Sequence, residues 1–260
     1  MTAATPLICI IPARGGSKRI PRKNIRDFAG RPMLAWPIAA AQESSLFDEI
    51  VVSTDDDEIA AVSREMGASV PFMRPAALSD DYSSARLAIN HAIRDAEARH
   101  GRTLFDVCCI YPTSALLSPA DLIAARNLLR TDPSIRFVFA AARYPHPIQR
   151  AMRVTLAGGV EPFDPDNICT RSQDLIEACH DVGQFYWGRR DAFIAEEPMF
   201  GPHSRPHFLP RERVVDIDTP DDWRFAESVK PRSRTDMFAP RTSSPVGAAL
   251  AAIVDGKLRG

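Results

Sequence analysis

Two short segments near opposite ends of the chain carry residue types suited to phosphate chemistry. The first is Pro12-Ala13-Arg14-Gly15-Gly16-Ser17-Lys18-Arg19-Ile20-Pro21-Arg22-Lys23-Asn24. Adjacent glycines let backbone N–H groups approach phosphate oxygens, and Arg14, Lys18 and Lys23 add positive charge. The spacing is neither GxxxxGK[ST] nor GxGxxG, so a triphosphate site here is of neither the ATPase nor the dehydrogenase type. The second segment is Val214-Val215-Asp216-Ile217-Asp218-Thr219. Read as a strand, it points Asp216 and Asp218 to one face. Like charges repel there, and a divalent cation relieves them; magnesium favours oxygen ligands and joins carboxylates to phosphates. The plainer alternatives are a solvated basic loop and an Asp218 helix cap beside an exposed Asp216.

Two further runs are informative. In Ser53-Thr54-Asp55-Asp56-Asp57, Asp55 could line the nucleotide site, while Asp56 and Asp57 suit the positive N-terminus of a following helix. In Asp181-Val182-Gly183-Gln184-Phe185-Tyr186-Trp187, strand alternation sets Gln184 and Tyr186 on one side and Phe185 and Trp187 on the other. Polar groups beside aromatic bodies suit a sugar pocket, with an ordinary core strand as the plainer reading. His146, His180, His203 and His207 stand at no metal-ligand spacing, and no GxSxG elbow is present.

The elements that position these groups follow from the hydrophobic pattern. Residues 7–11, 49–54, 70–73, 105–111, 137–141, 183–187 and 214–217 read as strands. Residues 32–45, 56–67, 84–100, 118–129 and 219–229 read as helices, with Pro37 demanding a late start or a bend in the first. Strands alternating with helices predict an α/β fold: a doubly wound, mostly parallel sheet with ligands at the strands' carboxyl ends. Both the basic loop and the acidic triplet fall at such ends. The pattern weakens over 143–181, which reads as an inserted arm. The expected organisation is one domain over 1–230 containing that arm, followed by a mobile tail over 231–260.

The bulk properties bound the partners. The chain has 260 residues and a formal net charge of −1. That balance argues against a general nucleic-acid binder. Positive charge is instead concentrated between Arg14 and Arg31, as one anionic ligand site would require. Five cysteines without CxxC spacing form no disulfide framework, and Cys9, Cys108 and Cys109 lie in apolar runs. No apolar run approaches a membrane span, and no basic segment precedes an apolar stretch at the N-terminus. A cytoplasmic protein with no membrane partner is expected.

The run Ile10 to Asn24 resembles the nucleotide-binding signature of the CMP-acylneuraminate cytidylyltransferases. Val52-Ser53-Thr54-Asp55, Arg74-Pro75 and Asp216-Ile217-Asp218-Thr219 match further landmarks in order, so the resemblance covers about residues 7–229. Cys108 to Tyr111, Pro145 to Ala151, Thr170 to Leu175 and Gly183 to Trp187 are similar to the pseudaminic acid branch of that family. Tyr111 stands where neuraminate enzymes carry glutamine, which weighs against neuraminate as substrate.

The resemblance implies a nucleotide-diphospho-sugar transferase type of fold with a dimerisation arm, and CTP and a nine-carbon sugar acid as the substrate pair. It implies that Arg14, Lys18 and Lys23 hold the triphosphate and that Asp216 and Asp218 hold Mg2+. Ala13, Gly15, Gly16, Ser17 and Asp55 would line the nucleotide site, and Asn24, Arg74 and Ser83 would face cytidine. Tyr111, Gln149, Arg150, Gln184 and Tyr186 would meet the sugar, with Arg171 reaching its carboxylate across a homodimer. Legionaminic or N-acetylneuraminic acid as substrate, and a non-catalytic nucleotide-sugar sensor, stand as alternatives.

Overall fold

A computed structural model describes residues 5–79 and 85–230. The expected tail over 231–260, and Ser83, lie outside the described residues.

In chain order the elements begin with β1 (Ile8–Pro12), a two-strand hairpin of β2 (Asp27–Phe28) and β3 (Arg31–Pro32), α1 (Ala35–Glu43), β4 (Glu49–Ser53) and α2 (Asp57–Glu65). Then come α3 (Ala85–His100), β5 (Asp106–Ile110), α4 (Pro119–Arg130) and β6 (Phe137–Arg143). A small hairpin of β7 (Met152–Val154) and β8 (Val160–Pro162) precedes β9 (Cys179–Arg189), α5 (Arg190–Ile194), β10 (Ser204–Phe208) and α6 (Pro220–Val229).

The main sheet has six strands in the order β10-β6-β9-β5-β1-β4. β1 pairs in parallel with β4 and β5, and β6 with β10. β9 alone runs antiparallel, wedged between β5 and β6. The sheet is therefore mostly parallel, as expected, with one reversed strand that hydrophobic patterning could not reveal.

Both faces of the sheet are covered. On β1, Cys9 and Ile11 join the layer containing Leu34, Ile38, Leu122 and Trp187. Ile8 and Ile10 face the opposite layer with Ile89, Ile93, Phe137 and Phe193. This explains why β1 reads as an unbroken apolar run. Cys9, Cys108 and Cys109 are free and fully buried.

Several expected elements shift. α1 starts at Ala35, three residues later than the pattern suggested, which puts Pro37 in the first turn. There the missing proline N–H has no intrahelical acceptor to satisfy, so no kink results. Residues 70–73 form no strand: Met73 makes one isolated bridge to Thr54, and just before the stretch Ser69 makes another to Val51 of β4. Residues 214–217 form no strand. β10 was unforeseen because Pro206 interrupts it; an edge strand tolerates that proline.

Candidate active site

A third, smaller apolar cluster joins the two ends of the chain. Ile20 from the basic loop and Phe28 from the β2–β3 hairpin pack with Ile217 and with Trp223 of α6. The Phe28 and Trp223 rings meet edge to face at 5.2 Å. Although 214–218 lies in no sheet, alternation persists: Val215 and Ile217 turn into this cluster, and Asp216 is left exposed. The Trp36 indole donates to the Phe28 carbonyl at 2.9 Å, fastening the hairpin to α1. This cluster sets the carboxylates beside the basic loop.

Polar contacts complete the junction. Lys23 Nζ donates to the Ile217 carbonyl at 2.7 Å and lies 3.3 Å from Asp218 Oδ1. Arg19 pairs with the other Asp218 oxygen at 2.7 Å. Partial burial, and then the like charge of Asp218, hold the Asp216 carboxyl above its ordinary value, with Lys23 opposing.

The loop after β1 is shaped from the side of α2. Gly15 N–H donates to Asp55 Oδ1 at 2.9 Å. Asp56 caps α2, accepting from Ile59 N–H at 2.9 Å, as its position predicted. Arg22, at φ 57°, clamps Asp56 and Glu58. A Cβ on Gly15 would lie 2.8 Å from Asp56 Oδ2, so the loop can sit this close only because glycine occupies that position. Gly16 has open space around it. The Ala13 N–H donates to the Ser53 carbonyl at 2.9 Å, and Ser17 N–H to the Gly15 carbonyl at 2.9 Å.

Two clefts open at this end of the sheet. One, of about 520 Å³, is lined by Arg14, Ser17, Lys18, Arg19, Lys23, Asn24 and Arg74. No carboxylate lines it among the described residues. Asn24 Nδ2 holds the Arg14 carbonyl at 2.9 Å. Arg74 donates through Nε to Ser53 Oγ at 3.0 Å and through Nη2 to the Ser53 carbonyl. Burial pulls the Arg74 pKa down and Arg14 adds to this, against Asp55. The other cleft, of about 540 Å³, is lined by Tyr111, Thr113, Asp181, Gly183, Tyr186 and Asp216, among others. Its described lining holds no lysine or arginine. Tyr111 and Thr113 belong to both clefts. One cleft thus suits a polyanion, the other a molecule rich in hydrogen-bond donors, and they meet at Tyr111.

Not every expected site residue lines a cleft. Asp55 braces Gly15 instead of facing the first cleft. Gln184 is buried, and its Nε2 donates to the Arg213 carbonyl at 2.7 Å. Phe185 and Trp187 do share one layer and Tyr186 the other, but Gln184 does not join Tyr186 at the second cleft. The Gln184 carbonyl accepts from Tyr111 N–H and Ser114 Oγ, both at 2.8 Å, so this residue holds the Tyr111 turn and the approach to Asp216. Gln149 donates to the Ile176 carbonyl at 2.9 Å, Arg150 to the Thr170 carbonyl, and Arg171 pairs with Asp174 at 2.7 Å. All three lie within the 143–181 stretch and outside both clefts.

Sequence reasoning overlooked Arg19, Thr113 and Asp181. Arg19 was visible as a charge in the loop. Asp181 carried a signal too, since it opens the strand run that holds Tyr186.

A two-cleft site at the carboxyl ends of a mostly parallel sheet, entered by a glycine-containing basic loop, defines a nucleotidyltransferase. The family model "Cytidylyltransferase" matches residues 8–157, and the chain belongs to that family. It is 46% identical over 221 residues to a pseudaminic acid cytidylyltransferase of Campylobacter jejuni subsp. jejuni, spanning 85% of this chain and 94% of that protein. It is 31% identical over 234 residues to the CMP-N,N'-diacetyllegionaminic acid synthase of Legionella pneumophila subsp. pneumophila, spanning 86% and 95%. Among solved structures, a CMP:2-keto-3-deoxy-manno-octonic acid synthetase complexed with CTP shares the fold, with a TM-score of 0.63 at 18% identity over 86% of this chain and 98% of that one. No helix among the described residues is long and apolar enough to cross a membrane.

Proposed function

We propose that the chain transfers CMP from CTP to the anomeric hydroxyl of pseudaminic acid and releases pyrophosphate. The carrying observation is the meeting, at Tyr111 and Thr113, of a cleft whose described charged residues are all cationic with a cleft lined by Asp181 and Asp216, while Asp218 contacts Lys23 and Arg19 of the first. The 46% identity to a pseudaminic acid cytidylyltransferase, against 31% to the legionaminic enzyme, supports the choice of sugar.

The triphosphate takes the first cleft, where Arg14, Lys18 and Lys23 hold its oxygens, and cytidine lies toward Asn24 and Arg74. The sugar takes the second cleft with its anomeric hydroxyl toward Tyr111. The hydroxyl oxygen bonds to the α-phosphorus as the bond to the bridging oxygen of pyrophosphate breaks. Positioning and charge neutralisation do most of the work in such a displacement. Magnesium fits the donor set, since two carboxylates leave room for the phosphate oxygens and waters it prefers. When bound by Asp216 and Asp218 it neutralises phosphate charge.

The 143–181 stretch serves, in this reading, as the arm of a homodimer. Val154, Leu156, Val160, Phe163 and Ile176 are apolar and largely exposed on it, a surface that a second copy would cover. Among the described residues the second cleft's lining holds no lysine or arginine, and in this reading Arg171 of a second copy supplies a cation for the sugar carboxylate. The free cysteines fit a reducing cytoplasm, where CTP is made.

The test is mass spectrometry of the product formed from CTP, magnesium and each of pseudaminic, legionaminic and N-acetylneuraminic acids, with pyrophosphate release measured in parallel. A CMP-linked product and fastest release with pseudaminic acid are expected. Faster turnover of another acid overturns the sugar assignment, and no release with any acid overturns the enzymatic reading.

A further inference from the structure

The wall of the second cleft contains a short hydrogen-bonded chain that the reaction above leaves without a role. Tyr186 OH donates to Asp181 Oδ2 at 2.5 Å, and Gly183 N–H donates to Asp181 Oδ1 at 3.0 Å. The Tyr111 and Tyr186 rings lie side by side, with centroids 5.3 Å apart and planes tilted by 56°. A phenol has one proton, and that of Tyr186 is committed to Asp181. Tyr186 therefore has only oxygen lone pairs left to offer on the Tyr111 side. Burial raises the Tyr111 pKa to about 12 and the Tyr186 pKa further, so both phenols keep their protons at neutral pH.

Around Asp181 the spare hydrogen-bonding capacity is that of an acceptor, with Thr113 and His180 elsewhere in the lining. A carboxylate offers about four acceptor positions. The Asp181 side chain spends two on Tyr186 and Gly183, and the residue is otherwise exposed at the cleft. Asp216 adds another carboxylate to the same lining. A ligand face carrying a carboxylate is repelled here, whereas a face carrying N–H or O–H groups finds fixed acceptors. Tyr186 and Gly183 pin both Asp181 oxygens, so the acceptors are held before the ligand arrives.

We infer that Asp181 is a specificity-determining residue, aligned by Tyr186 and the Gly183 N–H, that accepts a hydrogen bond from an acylamino N–H of the acceptor sugar. The inference rests on the reaction proposed above and deepens it, since it states which face of the sugar lies against β9. A site built to accept from an N–H rejects an analogue lacking that donor far more strongly than an apolar pocket rejects a change of size.

The test pairs variants with analogues, using the full chain. The variants are Asp181→Asn, which keeps size and loses the charge, and Tyr186→Phe, which keeps the buried ring and frees Asp181. The ligands are pseudaminic acid, analogues with each acetamido N–H replaced by an ester oxygen, and deoxy analogues lacking single hydroxyls. In the parent protein one ester analogue should lose about 10- to 100-fold in affinity or kcat/KM. In Asp181→Asn, pseudaminic acid itself should lose a comparable factor, and that same analogue should then lose little more. The KM for CTP should stay within about twofold, which a general loss of structure would not allow. Tyr186→Phe should weaken the discrimination while the CTP KM holds.

Coupling of Asp181 to a hydroxyl, with none to either acetamido group, overturns the assignment, as does the absence of coupling to any analogue. Turnover of pseudaminic acid by the parent protein tests the reaction itself. Sugar affinity measured by calorimetry carries the variant-by-analogue comparison independently of turnover.

Discussion

Replacing Lys23 with methionine removes one charge from the point where the two ends of the chain meet. At 3.3 Å from Asp218 Oδ1, a full pair in a medium of effective dielectric about 20 attracts by roughly 5 kcal/mol before desolvation. Lys23 is largely buried, but Arg19 also contacts Asp218 and takes over part of the neutralisation. Loss of the charged hydrogen bond to the Ile217 carbonyl adds to the remainder. A net destabilisation of about 1–3 kcal/mol results, the usual range for a charge-assisted bond. For a chain of this size that lowers Tm by roughly 2–4 °C per kcal/mol. Turnover should fall much further, by about 100- to 1,000-fold in kcat, because a preorganised charge facing a transferring phosphoryl group is lost as well. Pyrophosphate release under saturating CTP, with thermal melting of the same sample, separates the two effects. The Lys23→Arg variant should recover part of the activity. If Lys23→Met stays within threefold of the parent in kcat/KM while folded, Lys23 does not act on the nucleotide.

Other perturbations probe the surroundings. Burial pushes the Asp121 carboxyl up, but hydrogen bonds from His207 and Arg213 outweigh it and leave its pKa at about 2. A depressed folded pKa stabilises above the unfolded value and is lost as pH falls through about 2. Asp121→Asn should therefore cost roughly 2 kcal/mol in urea unfolding near pH 7, and the gap to the parent should narrow below about pH 4. Gly15→Ala should raise the KM for CTP at least tenfold, with only a small Tm change, because the new methyl presses on Asp56; an unchanged KM would remove the loop from the nucleotide site. Leu156→Glu, on the fully exposed tip of the arm, should convert the expected dimer to monomer by sedimentation without lowering Tm. Retention of the dimer would place the interface elsewhere.

The backbone plan was legible where local chemistry decides it. The helices expected over 118–129 and 219–229 form, each opened by a capping box, Ser118 with Asp121 and Thr219 with Asp222, and by a proline in the first turn. β1 and β5 were visible as buried apolar runs for the same reason. The reversed direction of β9 was not, because alternation specifies which side chains face inward and says nothing of strand polarity. The β2–β3 hairpin also escaped notice. Its turn is Ala29-Gly30, with Ala29 at φ 51°, in place of the usual asparagine or aspartate. Missing that hairpin meant missing Phe28 and the apolar cluster that brings Ile20 to Ile217. The resemblance implied that Lys23 and the Asp216–Asp218 pair act on one triphosphate, and the structure brings Lys23 Nζ within 3.3 Å of Asp218 Oδ1. Gln149, Arg150 and Arg171 came from a resemblance and not from spacing, and within one chain they lie away from both clefts.

The placement of β9 has a consequence for synthesis. β5 and β6 are never neighbours in the finished sheet, since the strand that separates them is completed only at Arg189. A nascent chain that has cleared the ribosome through β6 carries two buried-type strands with open ladder edges facing one another across a vacancy. Pairing them directly would be a parallel register error that later residues must undo. Fragments ending before Arg189 should accordingly aggregate, and a chaperone that shields those edges should raise yield more than one acting after release.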